Sequence, residues 1–166
     1  MADSLLAIDD QYVQFFGALT FTVKLNSDRS IQPHSIKSFK ALSLETDATG
    51  CSGSLSPKDI PILRDRLIDW LVRFSSLGLA QLVTRKLCST LVVFFIRFPD
   101  YWDDCIRHII CSLCFGRFVS AAELQQLPPS ETLLEAAEPR MKITALWFSA
   151  ILVEEVGKVD SRNVKK

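Results

Sequence analysis

Apolar residues return every three or four positions through most of this chain, and no stretch alternates for long with period two. In YVQFFGALTFTVKL, residues 12–25, Tyr12, Phe15, Phe16, Leu19 and Val23 share one helical face, while Ala18, Phe21 and Leu25 form a second. The spacing predicts a helix covered on more than one side; β-branched Thr20, Thr22 and Val23 leave strand as the alternative. From Ile60, IPILRDRLIDWLVRFSS carries Leu63, Leu67, Trp70, Leu71 and Phe74 on one stripe, with Asp65, Arg66 and Asp69 facing away. Asp59 is a plausible cap there, Pro61 suits a first turn, and Ser75, Ser76 and Gly78 close the helix.

A third helix follows at once, LAQLVTRKLCSTLVVFFIRF, with Val83, Leu87, Leu91, Phe94, Phe95 and Phe98 as its main stripe. From Leu87 it is apolar nearly all round, which suits a helix held between neighbours, and Pro99 stops it. A fourth is expected from Tyr101 to Phe115, with Trp102, Ile106, Ile109 and Leu113 as its buried line. Residues 116–140 are a connector with a short helical turn, a Pro-Pro stop and a second brief turn capped by Ser130. The last helix, MKITALWFSAILVEEVGKV, gathers Ile143, Leu146, Ala150 and Val153 on one side.

Between the first two helices, residues 26–60 are rich in Ser, Thr, Asp, Gly and Pro and predict a loop or insertion longer than a compact domain usually carries. Helices joined by short turns, with pairs at 12–76 and 79–115, predict an all-α chain. Two-helix units of about 40–47 residues are the period of HEAT and armadillo arrays. An α-α superhelix of about two and a half repeats, spanning residues 1–166, is the leading architecture; a compact five-helix bundle is the alternative.

Composition narrows function mainly by exclusion. At 166 residues, 48% hydrophobic and 23% charged, the chain can bury an ordinary core. Lys+Arg and Asp+Glu both number 19 and are interspersed, so there is no basic stripe for nucleic acid. TGCSGS at 49–54 lacks the Lys of a phosphate loop. The longest apolar run, LVVFFI, is fenced by Arg85, Lys86 and Arg97 and is too short to enter a membrane as a span. MADSLLAIDD carries acids where a signal peptide carries bases, so an intracellular chain with its 5 Cys reduced is expected.

The one stretch that resembles a ligand box is CIRHIICSLC, with Cys105, His108, Cys111 and Cys114 at a uniform spacing of three. On a helix each step of three turns the next ligand back by about 60°, and Cys105 and Cys114 stand about 13 Å apart along the axis. Zinc needs its ligands at about 2.0–2.3 Å, so the four cannot share one ion. Cys105 and Cys114 are expected to flank the buried line as small hydrophobes, with His108 and Cys111 on the opposite side and an exposed Asp104–His108 pair. Catalysis is not expected either: the 2 His are His34 and His108, and no nucleophile, base and oxyanion donor come together. No cofactor is implied.

Three blocks carry a family resemblance: LLAIDDQYVQFFGALTFTVKL; LRDRLIDWLVRFSS followed by LVTRKLCSTLVVFFIRFPDYWDDCI; and LWFSAILVEEVGKVD. In order and spacing they resemble the second, third and fourth N-terminal HEAT repeats of the importin-β (karyopherin-β) superfamily of nuclear transport receptors, nearest its transportin-SR-like branch. The Thr-Arg-x-Leu-Cys start at Thr84 and the Pro-x-x-Trp junction from Pro99 to Trp102 are the most specific features. Family members carry a repeat before these and many after, and the 26–60 loop exceeds their pattern. The resemblance implies a carrier without enzymatic activity, moving between cytoplasm and nucleus and binding protein cargo and Ran in its GTP-bound form. It places the Ran contacts on the B helices, here 61–76 and 101–115, through Arg66, Asp69, Arg73, Asp104, Arg107 and His108. Open repeat ends also imply self-association.

Overall fold

A computed structural model describes residues 2–27, 56–78, 81–128 and 130–163, which are all-α without a strand. The 26–60 loop therefore lies almost wholly outside the described residues. The helices are α1 (Ala2–Leu6), α2 (Gln11–Ser27), α3 (Asp59–Leu77), α4 (Gln81–Arg97), α5 (Cys105–Phe115), α6 (Ala121–Leu124), α7 (Ser130–Ala136) and α8 (Pro139–Asn163), with a 3-10 turn at Pro99–Tyr101.

Local chemistry sets most of the boundaries. The Asp10 carboxylate accepts from the Tyr12 and Val13 amides at 2.9 and 3.0 Å and so starts α2. Asp59, expected as a cap, is instead the first residue of α3; Lys58 precedes it and makes no side-chain cap. Gly78 ends α3 in the left-handed region at φ 64°, its amide returning to the Phe74 carbonyl. A Cβ there would stand 2.6 Å from Arg140 Nη1, the end of a long side chain that can move aside, so it is the left-handed backbone that favours glycine. Gly116 closes α5 in the same way, with the Gly116 and Arg117 amides bonded to the Leu113 and Ser112 carbonyls. The fourth helix begins later than expected because Pro99–Tyr101 forms a separate 3-10 turn, and Ser130 is the first residue of α7.

Helix α4 is the centre of the packing. It meets α3, which precedes it, and lies between α2 and α8. Leu87, Cys88, Leu91, Val92 and Phe94 are fully enclosed, so α4 is covered from Leu87 onward, while Gln81, Leu82 and Arg85 in its first turns stay exposed. Each large apolar side chain so buried contributes about 1.5–3 kcal/mol before entropy is counted. Helix α5 packs against α3, α7 and α8. Trp102, at its entrance, meets Phe94 and Phe95 of α4 edge-on and lies against Phe148 of α8. A smaller core of Cys111, Val119 and Leu124 sits under the 116–140 connector.

One buried polar contact fixes α2 on α4: Thr22 Oγ1 and Thr90 Oγ1 are 2.7 Å apart, with Ala18 enclosed beside them. At Gly17, a Cβ would stand 3.1 Å from atoms of Ala2, Leu5 and Leu6, so α1 lies close on α2.

Helix α8 buries a different stripe from the expected one, and α2 and α5 bury only part of theirs. On α2, Tyr12, Phe16 and Val23 are exposed, and the enclosed line is Ala18, Thr22 and Leu25. On α8, Ile143, Leu146, Ala150 and Val153 face solvent, while Met141, Ala145, Phe148 and Leu152 are buried. On α5, Trp102, Ile109 and Leu113 are buried as expected, but Ile106 is 46% exposed, and Cys105, His108 and Ser112 turn inward beside them. Each of these helices carries two apolar stripes, and the neighbour that arrives decides between them.

Candidate functional site

The six residues expected to meet a partner separate into three groups. Arg66, Asp69 and Arg73 follow a three-and-four spacing on α3 and are exposed together on one face, as read from the sequence. Two of them are also engaged within the fold. Arg66 Nε lies 3.4 Å from Asp3 Oδ2, and the other Asp3 oxygen accepts from Trp70 Nε1 at 2.8 Å. Asp3 thus holds α1 against α3. Arg73 stacks its guanidinium over the same indole, 5.5 Å from the ring centroid.

Asp104 and Arg107 stand at the start of α5. Asp104 Oδ2 lies 3.8 Å from Arg107 Nη1, and Arg107 Nη2 donates to the Leu127 carbonyl at 2.8 Å. Arg107 is therefore half-covered and ties the connector to α5. Nearby, Arg64 Nη1 donates to the Tyr101 carbonyl at 2.7 Å, joining α3 to the turn before α5.

His108 is where the expectation fails. It is 2% exposed, and the surface Asp104–His108 pair does not form. Its Nδ1 receives the Trp102 Nε1 hydrogen at 3.2 Å, and its Nε2 lies 2.6 Å from the Val119 carbonyl oxygen. An indole N–H can only donate and a carbonyl can only accept, so Nδ1 is bare and Nε2 carries the proton. The ring is a neutral bridge from the turn before α5 to the connector after it. The Val119 amide completes the link by donating to Ser112 Oγ at 3.3 Å. Burial holds the His108 pKa below its ordinary 6.5; the Val119 bond opposes this, and Arg64 adds to it.

The sequence does hold a signal for this arrangement. A tryptophan at a turn needs a buried acceptor for its N–H, and His108 lies about one turn into the helix that follows. The apolar periodicity, which favoured Ile106 for the core, points the other way.

The four cysteines among the described residues are quiet thiols. Desolvation pushes Cys88 up to about 12 and Cys105 to about 11, and raises Cys111 and Cys114 as well. No group of three His, Cys, Asp or Glu among the described residues could hold a metal ion. No helix among them is long and apolar enough to cross a membrane. A small open cleft lies where the end of α3 meets the starts of α4 and α8. Two of its hydroxyls, Ser75 and Thr144, already donate to the Leu71 and Arg140 carbonyls of their own helices. That leaves the α3 face as the most accessible cluster of mixed charge among the expected residues.

Compared with known proteins, the chain matches no protein-family model, no curated protein and no solved structure.

Proposed function

We propose that this chain is an importin-β-like segment of a nuclear transport receptor, a solenoid of about two and a half HEAT-type repeats that binds partners and catalyses nothing. Its partners are Ran–GTP and protein cargo, carried between cytoplasm and nucleus. The observation that supports this most is the order of packing: α4 lies between α2 and α8, while α5 meets α3, α7 and α8. That order suits two rows of helices, as a repeat array would have, with α3 and α5 as B helices. Mechanism in such a protein is linkage, in which Ran–GTP and cargo each bind one curvature of the array better than another. Asp69 and Arg73 are the strongest contact residues, with Arg66 and Asp104 at the margin. His108 is withdrawn from this surface, and Arg107 contributes chiefly by holding the connector.

A pull-down of the whole chain with GTP-locked and GDP-bound Ran tests the reading. Capture by the GTP form alone, lost in Asp69→Arg and Arg73→Glu, is expected. Equal or absent capture of the two forms overturns it. A second reading is a small helical scaffold that keeps repeat packing without transport. It is favoured by the commitment of Arg66, Arg107 and His108 to contacts inside the fold.

A further inference from the structure

Helix α4 separates two flanks, and each carries an apolar stripe exposed to solvent. On α2, Tyr12 is 76% and Phe16 59% exposed, with Leu19 and Val23 continuing the line. On α8, Ile143 is 46%, Leu146 65% and Val153 73% exposed, with Ala150 between them. Both stripes step by alternating threes and fours, the spacing of a seam between two packed helices. Apolar surface gathered in this way marks an interaction site more often than isolated exposed residues do.

The charges at the ends of the stripes choose how they would meet. With α2 and α8 parallel and Tyr12 level with Ile143, the capping Asp10 falls level with Met141, between Arg140 and Lys142, and Lys24 level with Glu155. With the helices antiparallel and Tyr12 level with Val153, Asp10 falls level with Glu155 and Lys24 level with Met141, between Arg140 and Lys142, so like charges meet at both ends. Glu154 and Glu155 share the single Lys158, at 2.7 Å each, so that end of α8 keeps a net negative charge. Complementarity therefore favours the parallel arrangement.

We propose that copies of this chain associate head to tail, α2 of one docking parallel onto α8 of the next. The two surfaces are different, so the interface is heterologous and every added copy leaves one end of each kind exposed. A single helix pair buries less than a standard interface, so assembly is weak and grows with concentration. The inference uses the positions of α2 and α8 on either side of α4 and needs no Ran binding. The pull-down and this assembly can therefore fail separately.

Two exposed substitutions block one end each: Phe16→Glu on α2 and Leu146→Glu on α8. Far-UV circular dichroism and cooperative urea unfolding confirm that both variants keep the fold. In analytical ultracentrifugation, the unsubstituted chain should pass beyond a dimer as its concentration rises. Each variant alone should remain a monomer, and an equimolar mixture should form a 1:1 dimer and nothing larger. The proposal is overturned by an unsubstituted chain that stays monomeric, by either variant self-associating through its intact face, or by a mixture that stays monomeric. Orientation is read with Lys24→Glu, which should weaken assembly by about threefold or more if the helices are parallel and the new carboxylate meets Glu155. Tighter assembly would mean the antiparallel arrangement, with the new carboxylate between Arg140 and Lys142, and would overturn the parallel one.

Discussion

Helices α4 and α2 both carry apolar residues around most of their circumference, yet they meet opposite fates. On α4, neighbours on several sides enclose Leu87, Leu91 and Phe94 completely. On α2, α1 and α4 cover two sides, and Tyr12 and Phe16 remain in solvent. The difference lies less in the helices themselves than in how many partners reach them. An apolar stripe is an offer of burial, and stability comes only where another element accepts it.

The comparison breaks or holds most visibly on one pair of phenylalanines. Phe94→Ala should cost about 3–5 kcal/mol, because the ring is enclosed against Phe98 and Trp102 and the space cannot fully collapse. Phe16→Ala, at an exposed site, should change stability by no more than about 0.5 kcal/mol. Urea unfolding of the two variants, at a concentration low enough to exclude association, provides the check. Equal losses would mean that the α2 stripe is covered after all.

His108 sharpens the contrast from the polar side, because the α5 core is closed by hydrogen bonds as well as by packing. His108→Leu keeps the volume roughly but leaves the Trp102 N–H and the Val119 carbonyl buried without partners. At about 1–3 kcal/mol for each orphaned group, the expected loss at neutral pH is about 2–4 kcal/mol. The pH dependence has a definite sign. The folded chain resists protonating His108, while the unfolded chain accepts a proton near 6.5, so the unfolded state binds more protons as pH falls. Stability is full above that value and declines below it, with a limiting slope of about 1.4 kcal/mol per pH unit until the lowered folded pKa is reached. Unfolding free energies measured at pH 7.5 and 5.5 should fall further for the native sequence than for His108→Leu. Parallel declines would remove His108 from the account.

How much of this was legible in the sequence follows the same division. The stripe of α3 was readable, since Leu67, Trp70, Leu71 and Phe74 form one apolar face against charged residues. So was α4, because a helix apolar nearly all round has little choice but to be enclosed. Pro99 and the left-handed Gly78 carried their own stop signals. On α5 the line of Trp102, Ile109 and Leu113 was readable and Ile106 misplaced, whereas α2 and α8 were readable as helices but not as to which stripe is covered. Each presents two apolar stripes, and the choice depends on contacts far along the chain. Of the candidate site, exposure of Arg66, Asp69 and Arg73 was legible from spacing on α3. The burial of His108 was legible only through the N–H of Trp102, which needs an acceptor; its other bond depends on Val119, eleven residues onward, returning to accept its proton.

The smallest expected effect tests how α2 is held where it does pack. Thr22 and Thr90 exchange a hydrogen bond across α2 and α4, but each also has a carbonyl of its own helix within reach, Ala18 at 3.4 Å and Lys86 at 2.9 Å. Thr22→Val or Thr90→Val should therefore cost about 1 kcal/mol, since the hydroxyl left behind still has a partner. Replacing both removes two polar groups together and restores complementary surfaces. The double variant should be no less stable than either single one, giving a coupling measurable in a double-mutant cycle. Strict additivity would mean that the two hydroxyls do not recognise each other, and α2 would then be located on α4 by shape alone, through Ala18 and Leu25.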